Sequence, residues 1–296
     1  MTTNLKTLLS YKKQTVEIHR ESPTVKIGER INPTGRKVLL AALQEGNFEM
    51  VRQDAIKQVE AGATVLDVNA GVPGTDEITL LSQVMQEVMS VVDVPLCIDT
   101  ASPKALEAAL KIYDGKALIN SVSGEEKSLE AVLPLAKEYG AAVIGLCMDD
   151  DGIPATHELR LKVAAKIIER AATSGIPIED IVIDPLAMAM GADYTAGLTT
   201  LKTIELVVAE FGVNITMGAS NVSFGMPDRK YLNAAYIAIA IHAGLTCPLT
   251  NPLVPEINRA VLASDLSLGR DEYGMRWIKS YRKLNYKNSN SQGIQL

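Results

Sequence analysis

Three observations predict an α/β protein folded as a single (β/α)8 TIM barrel with an N-terminal hairpin extension. From Val25 onward, short β-branched runs alternate with helical stretches at intervals of very roughly thirty residues, the rhythm of the βα unit. Eight such runs, with the helices that follow them, occupy about 250 of the 296 residues, which is the usual extent of one closed barrel. The first run leads into "GERINPTG", which lacks the G-x-G-x-x-G turn more often expected after the first strand of a doubly wound sheet. That open sheet stays as the alternative.

The chain begins with "MTTNLKTLLSYKKQ", which has neither the long apolar core nor the small-residue cleavage site of a secretory signal. "QTVEIHRESPTVKIG" reads as two short extended segments joined at "ESP", a hairpin placed to plug the barrel floor. Residues 1–24 are therefore assigned to this extension and 25–280 to the barrel. The strands are read as "TVKIGE", "TVLDVNA", "PLCIDT", "ALINSV", "AAVIGLCM", "IVIDP", "NITMGAS" and "TCPLTN". Helical stretches include Phe48 to Ala61, Ile78 to Val91, Pro103 to Ile112, Glu125 to Tyr139, Glu158 to Thr173, Gly197 to Phe211 and Leu232 to Ala243. Pro103 suits a first-turn position, and Gly140 and Gly175 suit the stops after their helices. The last segment, 281–296, is a polar tail expected to fray. No second domain or linker is evident.

Composition narrows the function classes. Hydrophobic residues make up 47%, charged residues 22% and aromatic residues 4%, as in a soluble globular core of aliphatic side chains. A net charge of -6 offers no basic field to nucleic-acid phosphates. The longest apolar stretch, "AAYIAIAIHAGLTCPL", is shorter than the roughly 20 residues that span a bilayer. Cys97, Cys147 and Cys247 form no C-x-x-C pair, so reduced, buried thiols in a cytoplasmic protein are expected.

Barrels of this kind carry their active sites at the C-terminal ends of the strands. Those ends collect Glu29, Asn32, Asp67, Asn69, Asp99, Asn120, Asp184, Ser220 and Asn221. Every one is an acceptor, an amide or a hydroxyl. Lysine is missing, because Lys26 comes too early in its strand, and this argues against Schiff-base chemistry. His19, His157 and His242 fall outside the strand ends, and His242, inside an apolar helix, is read as structural. Asp67, Asp99 and Asp184 are hard oxygen ligands of the kind magnesium takes, but they stand on strands spread round the barrel. Aspartates and asparagines also cap helices and form turns. A flat heterocycle with an amino group beside a ring N–H is the third option, since a carboxylate accepts both by parallel hydrogen bonds and an amide serves either polarity.

In this order, "IGERINPTGR", "LDVNAG", "CIDT", "INSVSGE", "VIGLCMDDDGIP", "VIDPL" and "GASNVSFG" resemble the motifs of the pterin-binding barrel family. The resemblance is to its branch of methyltetrahydrofolate:corrinoid-protein methyltransferases, and it runs from about Ile27 to Pro252. It implies that Asp99, Asn120 and Asp184 hold the pterin edge, with Asp184 facing the 2-amino group and the neighbouring N–H. Asn221 would then lie beside N5, making Asn221 and Asp99 the catalytic candidates. Gly218 and Ser220 complete the implied pterin site, and with Ala219 they leave room above the ring for a corrin. Glu29, Asn32, Asp67 and Asn69 support it, and no metal is bound.

Tetrahydrofolate and 5-methyltetrahydrofolate are the implied substrates. Cobalamin would arrive on a separate corrinoid protein, because the chain has no D-x-H-x-x-G segment. The implied direction is from methylcorrinoid to tetrahydrofolate in a demethylation pathway, and the implied assembly is a homodimer with both mouths open. The sister branch, dihydropteroate synthase, typically has a lysine in a Ser-Arg-Lys-Ser-like segment and an Arg-x-His near the last strand to handle its leaving pyrophosphate. Here the matching segments read "ASNVS" and "CPLTNP", without that charge stabilisation. That synthase and a non-catalytic pterin-binding docking subunit are the alternatives. A zinc-dependent thiol methyltransferase lacks its His/Cys cluster at the strand ends. Phe224 stands where some relatives have glutamine, which implies a more apolar mouth.

Overall fold

Two antiparallel strands, β1 (Thr7–Tyr11) and β2 (Gln14–Ile18), lead the chain into the barrel, with Tyr11 paired to Gln14 across Lys12 and Lys13. The computed structural model describes residues 5–292, with side-chain surroundings through 283. The hairpin is thus displaced toward the N-terminus from the expected one. Its turn is Lys12-Lys13, with Lys12 at φ 50°, and "ESP" belongs to the link that follows. The plugging role stands. Leu9 and Ile18 are fully buried against Ile27, Val65, Cys97, Leu118 and Val182 of the barrel interior. Ser10 N donates to Lys116 O and Lys12 N to Asp114 O, both at 3.0 Å. Gly115 makes this approach possible, since a Cβ there would lie 2.2 Å from Ser10 O.

All eight expected strands are present. They are β3 (Ile27–Ile31), β4 (Val65–Asn69), β5 (Leu96–Asp99), β6 (Leu118–Ser123), β7 (Ala142–Leu146), β8 (Ile181–Asp184), β9 (Asn214–Ile215) and β10 (Leu249–Thr250). Their order is β10-β3-β4-β5-β6-β7-β8-β9, and every neighbouring pair is parallel. The ring closes beside β9, where Cys247 N donates to Ile215 O, Leu249 N to Met217 O and Ala219 N to Leu249 O, each at 3.0 Å.

The connecting helices are α1 (Lys37–Gln44), α2 (Glu49–Glu60), α3 (Glu77–Val91), α4 (Pro103–Lys111), α5 (Glu126–Tyr139), α6 (His157–Thr173), α7 (Ala196–Phe211), α8 (Arg229–Ala243), α9 (Pro255–Ser267) and α10 (Met275–Gln292). Local signals set their ends. Ser102 accepts from Ala105 N ahead of Pro103, and Gly140 stops α5 in the left-handed region, each satisfying backbone groups a helix end leaves open. Helix α10 runs through position 281, where the polar tail was expected to begin, and residues 293–296 of that tail lie outside the described residues. His242 lies on the exposed face of α8 rather than in a core.

Strand periodicity separates two apolar layers. Ile27, Val65, Cys97, Leu118 and Val182 point into the barrel. Their neighbours Leu66, Val68, Leu96, Ile98, Ile119, Ile181 and Ile183 face outward and join the buried stripes of the helices. The three cysteines are free and buried. No helix among the described residues is long and apolar enough to cross a membrane.

Candidate active site

The inward face of five of the eight strands changes character within two residues. Ile27 is followed on that face by Glu29, Val65 by Asp67, Cys97 by Asp99, Leu118 by Asn120 and Val182 by Asp184. Register sets Asp99 between Asn69 and Asn120, with Asp67 one inward step below, opposite Cys97, and Asp184 one step above, in line with Leu146 and Ser123. The β-period that packs the floor therefore places a ring of carboxylates and amides at the mouth.

Neighbours fix how this ring is presented. Asn120 Nδ2 donates to Asp67 Oδ1 at 3.0 Å, which directs the Asn120 carbonyl away from Asp67 as the acceptor left for a ligand. Asp184 Oδ1 accepts from Leu186 N at 2.7 Å. On the other side of the ring, Ser220 Oγ lies 3.4 Å from Glu29 Oε1. Two of the expected supporting residues also close turns: Asn32 Oδ1 accepts from Thr34 N and Asn69 Oδ1 from Gly71 N, both at 2.8 Å. Asn69 also hydrogen-bonds Asp99.

Electrostatically the mouth is incomplete on its own. Burial pushes Asp184 up to about 7, with the Leu186 amide and Arg160 acting in the opposite sense. Burial raises Asp99 to about 6, reinforced by the charge of Glu77. Asp67 is held well above the usual carboxylate range by burial and by neighbouring Asp99, and burial also raises Glu29. For Asp184 and Glu29 burial outweighs the arginines nearby, and carboxylates in a low dielectric favour the protonated form. A ligand presenting N–H groups would satisfy them.

The segment after β9 carries Asn221 at the start of a single 3-10 turn, Asn221–Ser223, where its side chain is exposed. Asn221 N donates to Gly218 O at 3.1 Å. A Cβ on Gly218 would lie 2.8 Å from Asn221 Nδ2, so glycine there lets the amide fold back over the strand end.

Two arginines escaped the sequence reading. Arg229 donates to Ser220 O at 2.8 Å and to Ser223 Oγ at 3.0 Å, and it lies 5.9 Å from the centre of the Phe224 ring. Arg160 is buried and donates to Pro185 O, Leu186 O and Pro154 O, bracing the loop that follows Asp184. A signal existed for Arg160, because it falls on the buried stripe of α6 with Val163, Ala164 and Ile167. A charge at such a position needs a buried partner. The loops after β8 and β9 are tied by Met190 N donating to Val222 O at 2.9 Å, and exposed Met188, Phe224 and Met226 form an apolar rim there.

Among the described residues no group of three His, Cys, Asp or Glu is arranged to hold a metal. Lys26 faces the outer wall, with Nζ on Asn258 Oδ1 and Ala61 O.

Comparison with known proteins gives a consistent picture. The family described as pterin binding enzyme matches residues 28–250. The methylcorrinoid:tetrahydrofolate methyltransferase of Eubacterium limosum is 32% identical over 260 residues, 87% of this chain and 96% of that protein. The methionine synthase of Mycobacterium leprae (strain TN) is 30% identical over 232 residues, covering 74% of this chain but 19% of that longer protein. Among solved structures, a dihydropteroate synthase from Yersinia pestis superposes with a TM-score of 0.68 at 19% identity, over 88% of this chain and 98% of its own. That of Thermus thermophilus, in complex with 4-aminobenzoate, gives 0.66 at 21% identity, over 88% and 99%. At such identities these structures speak for the barrel fold.

Proposed function

This chain belongs to the pterin binding enzyme family, and from that premise we propose that it is a methyltransferase moving a methyl group from a methylated corrinoid protein to N5 of tetrahydrofolate. The observation that carries the reading is the set of Asp99 and Asn120, paired across neighbouring strands, and Asp184 at the end of β8, above an apolar floor. It is supported by the relative from Eubacterium limosum, whose length the chain covers almost entirely.

In this reading the Asp184 carboxylate accepts the 2-amino group and adjacent N–H of the pterin as a parallel pair. Asp99 and the Asn120 carbonyl take the remaining edge, with Asp67 as the positioning residue behind Asn120. N5 attacks the methyl carbon in line, and the cobalt–carbon bond breaks with its electron pair left on cobalt. The N5 proton leaves to water at the open mouth. Asn221 accepts from N5–H before transfer and donates to the N5 lone pair afterwards, following both states with no charge to bury. Holding the partners in line is worth roughly 7 to 11 kcal/mol in favourable cases. The corrinoid protein docks on the rim of Met188, Phe224 and Met226. The enzyme works in the cytoplasm as a homodimer with both mouths open.

A dihydropteroate synthase would need a cation where the pyrophosphate leaves. Residues 216–227 contain no lysine or arginine, and nearby Arg229 is engaged with the loop itself.

The test is transfer from methylcobalamin to tetrahydrofolate, followed by the absorbance of cobalt(I). Wild type should turn over, and Asn221→Ala should lower kcat by about a hundredfold or more while tetrahydrofolate affinity changes by a much smaller factor. Equal losses in both would remove Asn221 from its role. Tight tetrahydrofolate binding with no transfer, corrinoid protein included, would instead identify a docking subunit.

A further inference from the structure

Away from the mouth, a 690 Å³ cavity opens on the outer wall between α2, α9 and α10. In a chain of net charge -6, its lining gathers Lys26, Lys57, Arg259, Arg276, Lys279 and Lys283 against the single carboxylate of Glu60. Pro255, Leu253 and Leu262 supply an apolar shelf beside them.

The deepest cation is the informative one. Lys26 is 6% exposed, and its Nζ reaches two neutral acceptors, Asn258 Oδ1 at 2.6 Å and Ala61 O at 3.4 Å. An ammonium has three donors, so one remains for something in the cavity. Burial and the neighbouring charge of Arg276 lower Lys26 to about 8, with Asp265 opposing. Asp265 is itself occupied by Arg276 at 2.8 Å and by Thr24 Oγ1 at 2.6 Å. Asn258 is fixed in turn by Ala61 O and Pro252 O, so the acceptor that orients Lys26 is braced.

The remaining cations sit nearer the opening. Among the described residues, Lys57, Arg259 and Lys279 have no acceptor within hydrogen-bond reach, and Lys283 Nζ meets only the backbone carbonyl of Glu60 at 2.9 Å. Residues 284–296 add a further lysine and no aspartate or glutamate. Like charges brought together over an apolar shelf cost free energy unless an anion joins them.

We propose that this groove binds a compact organic polyanion, its anionic groups over Lys26, Lys57, Arg259 and Lys279 and its apolar part on Leu253 and Leu262. Phosphate and carboxylate groups share the required chemistry, because both accept several charge-assisted hydrogen bonds. The groove shares no lining residue with the mouth: Lys26 and Thr64 precede β3 and β4, whereas Glu29 and Asp67 lie further along those strands.

Calorimetric titration with ADP and, in parallel, with citrate tests this at low ionic strength. At least one should bind the wild-type protein with Kd near or below about 1 mM, and added salt should weaken it as screening requires. The double variant Arg259→Gln/Lys279→Gln, confined to the groove's opening, should weaken that binding about tenfold or more and leave methyl transfer at the mouth unchanged. Lys26→Met should weaken it further, with circular dichroism as the check on folding. ADP-only binding identifies the anion as phosphate, and citrate-only binding identifies it as carboxylate. Binding of neither, or binding insensitive to the double variant, would overturn the proposal.

Discussion

At the floor of the barrel, Ile27, Val65, Cys97, Leu118 and Val182 close against Leu9 and Ile18 of the hairpin. Two residues further along the same strands and on the same face, Glu29, Asp67, Asp99, Asn120 and Asp184 stand at the mouth. The strands and their period are shared, although the register shifts near the mouth in β3 and β6, so the main difference is in side-chain chemistry. The floor is complete without a ligand. The mouth keeps carboxylates raised by burial, an arrangement that favours binding over stability.

The largest separation between the two ends should come from the floor. Ile18→Ala removes a fully buried side chain and should destabilise the fold by about 2 to 5 kcal/mol in chemical denaturation, with KM for tetrahydrofolate unchanged in the molecules that remain folded. Asp184→Asn should do the reverse. Losing the charge-assisted pair should weaken tetrahydrofolate by about a hundredfold in calorimetry. The unliganded protein should become more stable at neutral pH, because a carboxylate whose charge burial disfavours has been replaced by a neutral amide.

A third effect is smaller and follows from linkage. Asp184 and Asp99 lie above the usual carboxylate range in the folded protein, at about 7 and about 6, so the folded state binds their protons more tightly than the unfolded chain does. Their contribution to stability is present at low pH and is lost as pH rises from about 4 to about 7. Ligand binding needs the charged form of Asp184, so tetrahydrofolate affinity should rise with pH up to about 7 and then level off. An affinity flat from pH 5 to pH 8 would mean that this carboxylate does not meet the pterin.

Least in size, Gly218→Ala should leave stability nearly unchanged. The added methyl meets the far end of the Asn221 side chain, and that end can swing aside. Turnover should nevertheless fall several-fold, in proportion to how far the amide is displaced from N5.

The sequence made the strands legible because β-branched runs end in turn residues, and counting by two from Ile27 or Val182 is enough to put Glu29 and Asp184 on the inward face. The hairpin was misplaced because Lys12-Lys13 carries none of the usual turn residues, whereas "ESP" does. Helix α9 had its signal in Pro255 at the first turn, but α10 is polar enough to pass for a tail. Among the site residues, Asn32 and Asn69 look in sequence like Asn120. Only the structure shows that their carbonyls close turns to Thr34 and Gly71 while Asp67 orients Asn120. Arg229 was hidden because it acts on a loop whose path no periodicity describes.

Binding a ligand and locating it can be done in one experiment, a crystal structure with tetrahydrofolate. The pterin should lie across the mouth with its 2-amino group and adjacent N–H on Asp184, its edge on Asp99 and Asn120, and N5 beside Asn221. A pterin held elsewhere, or those side chains turned away from it, would contradict the account.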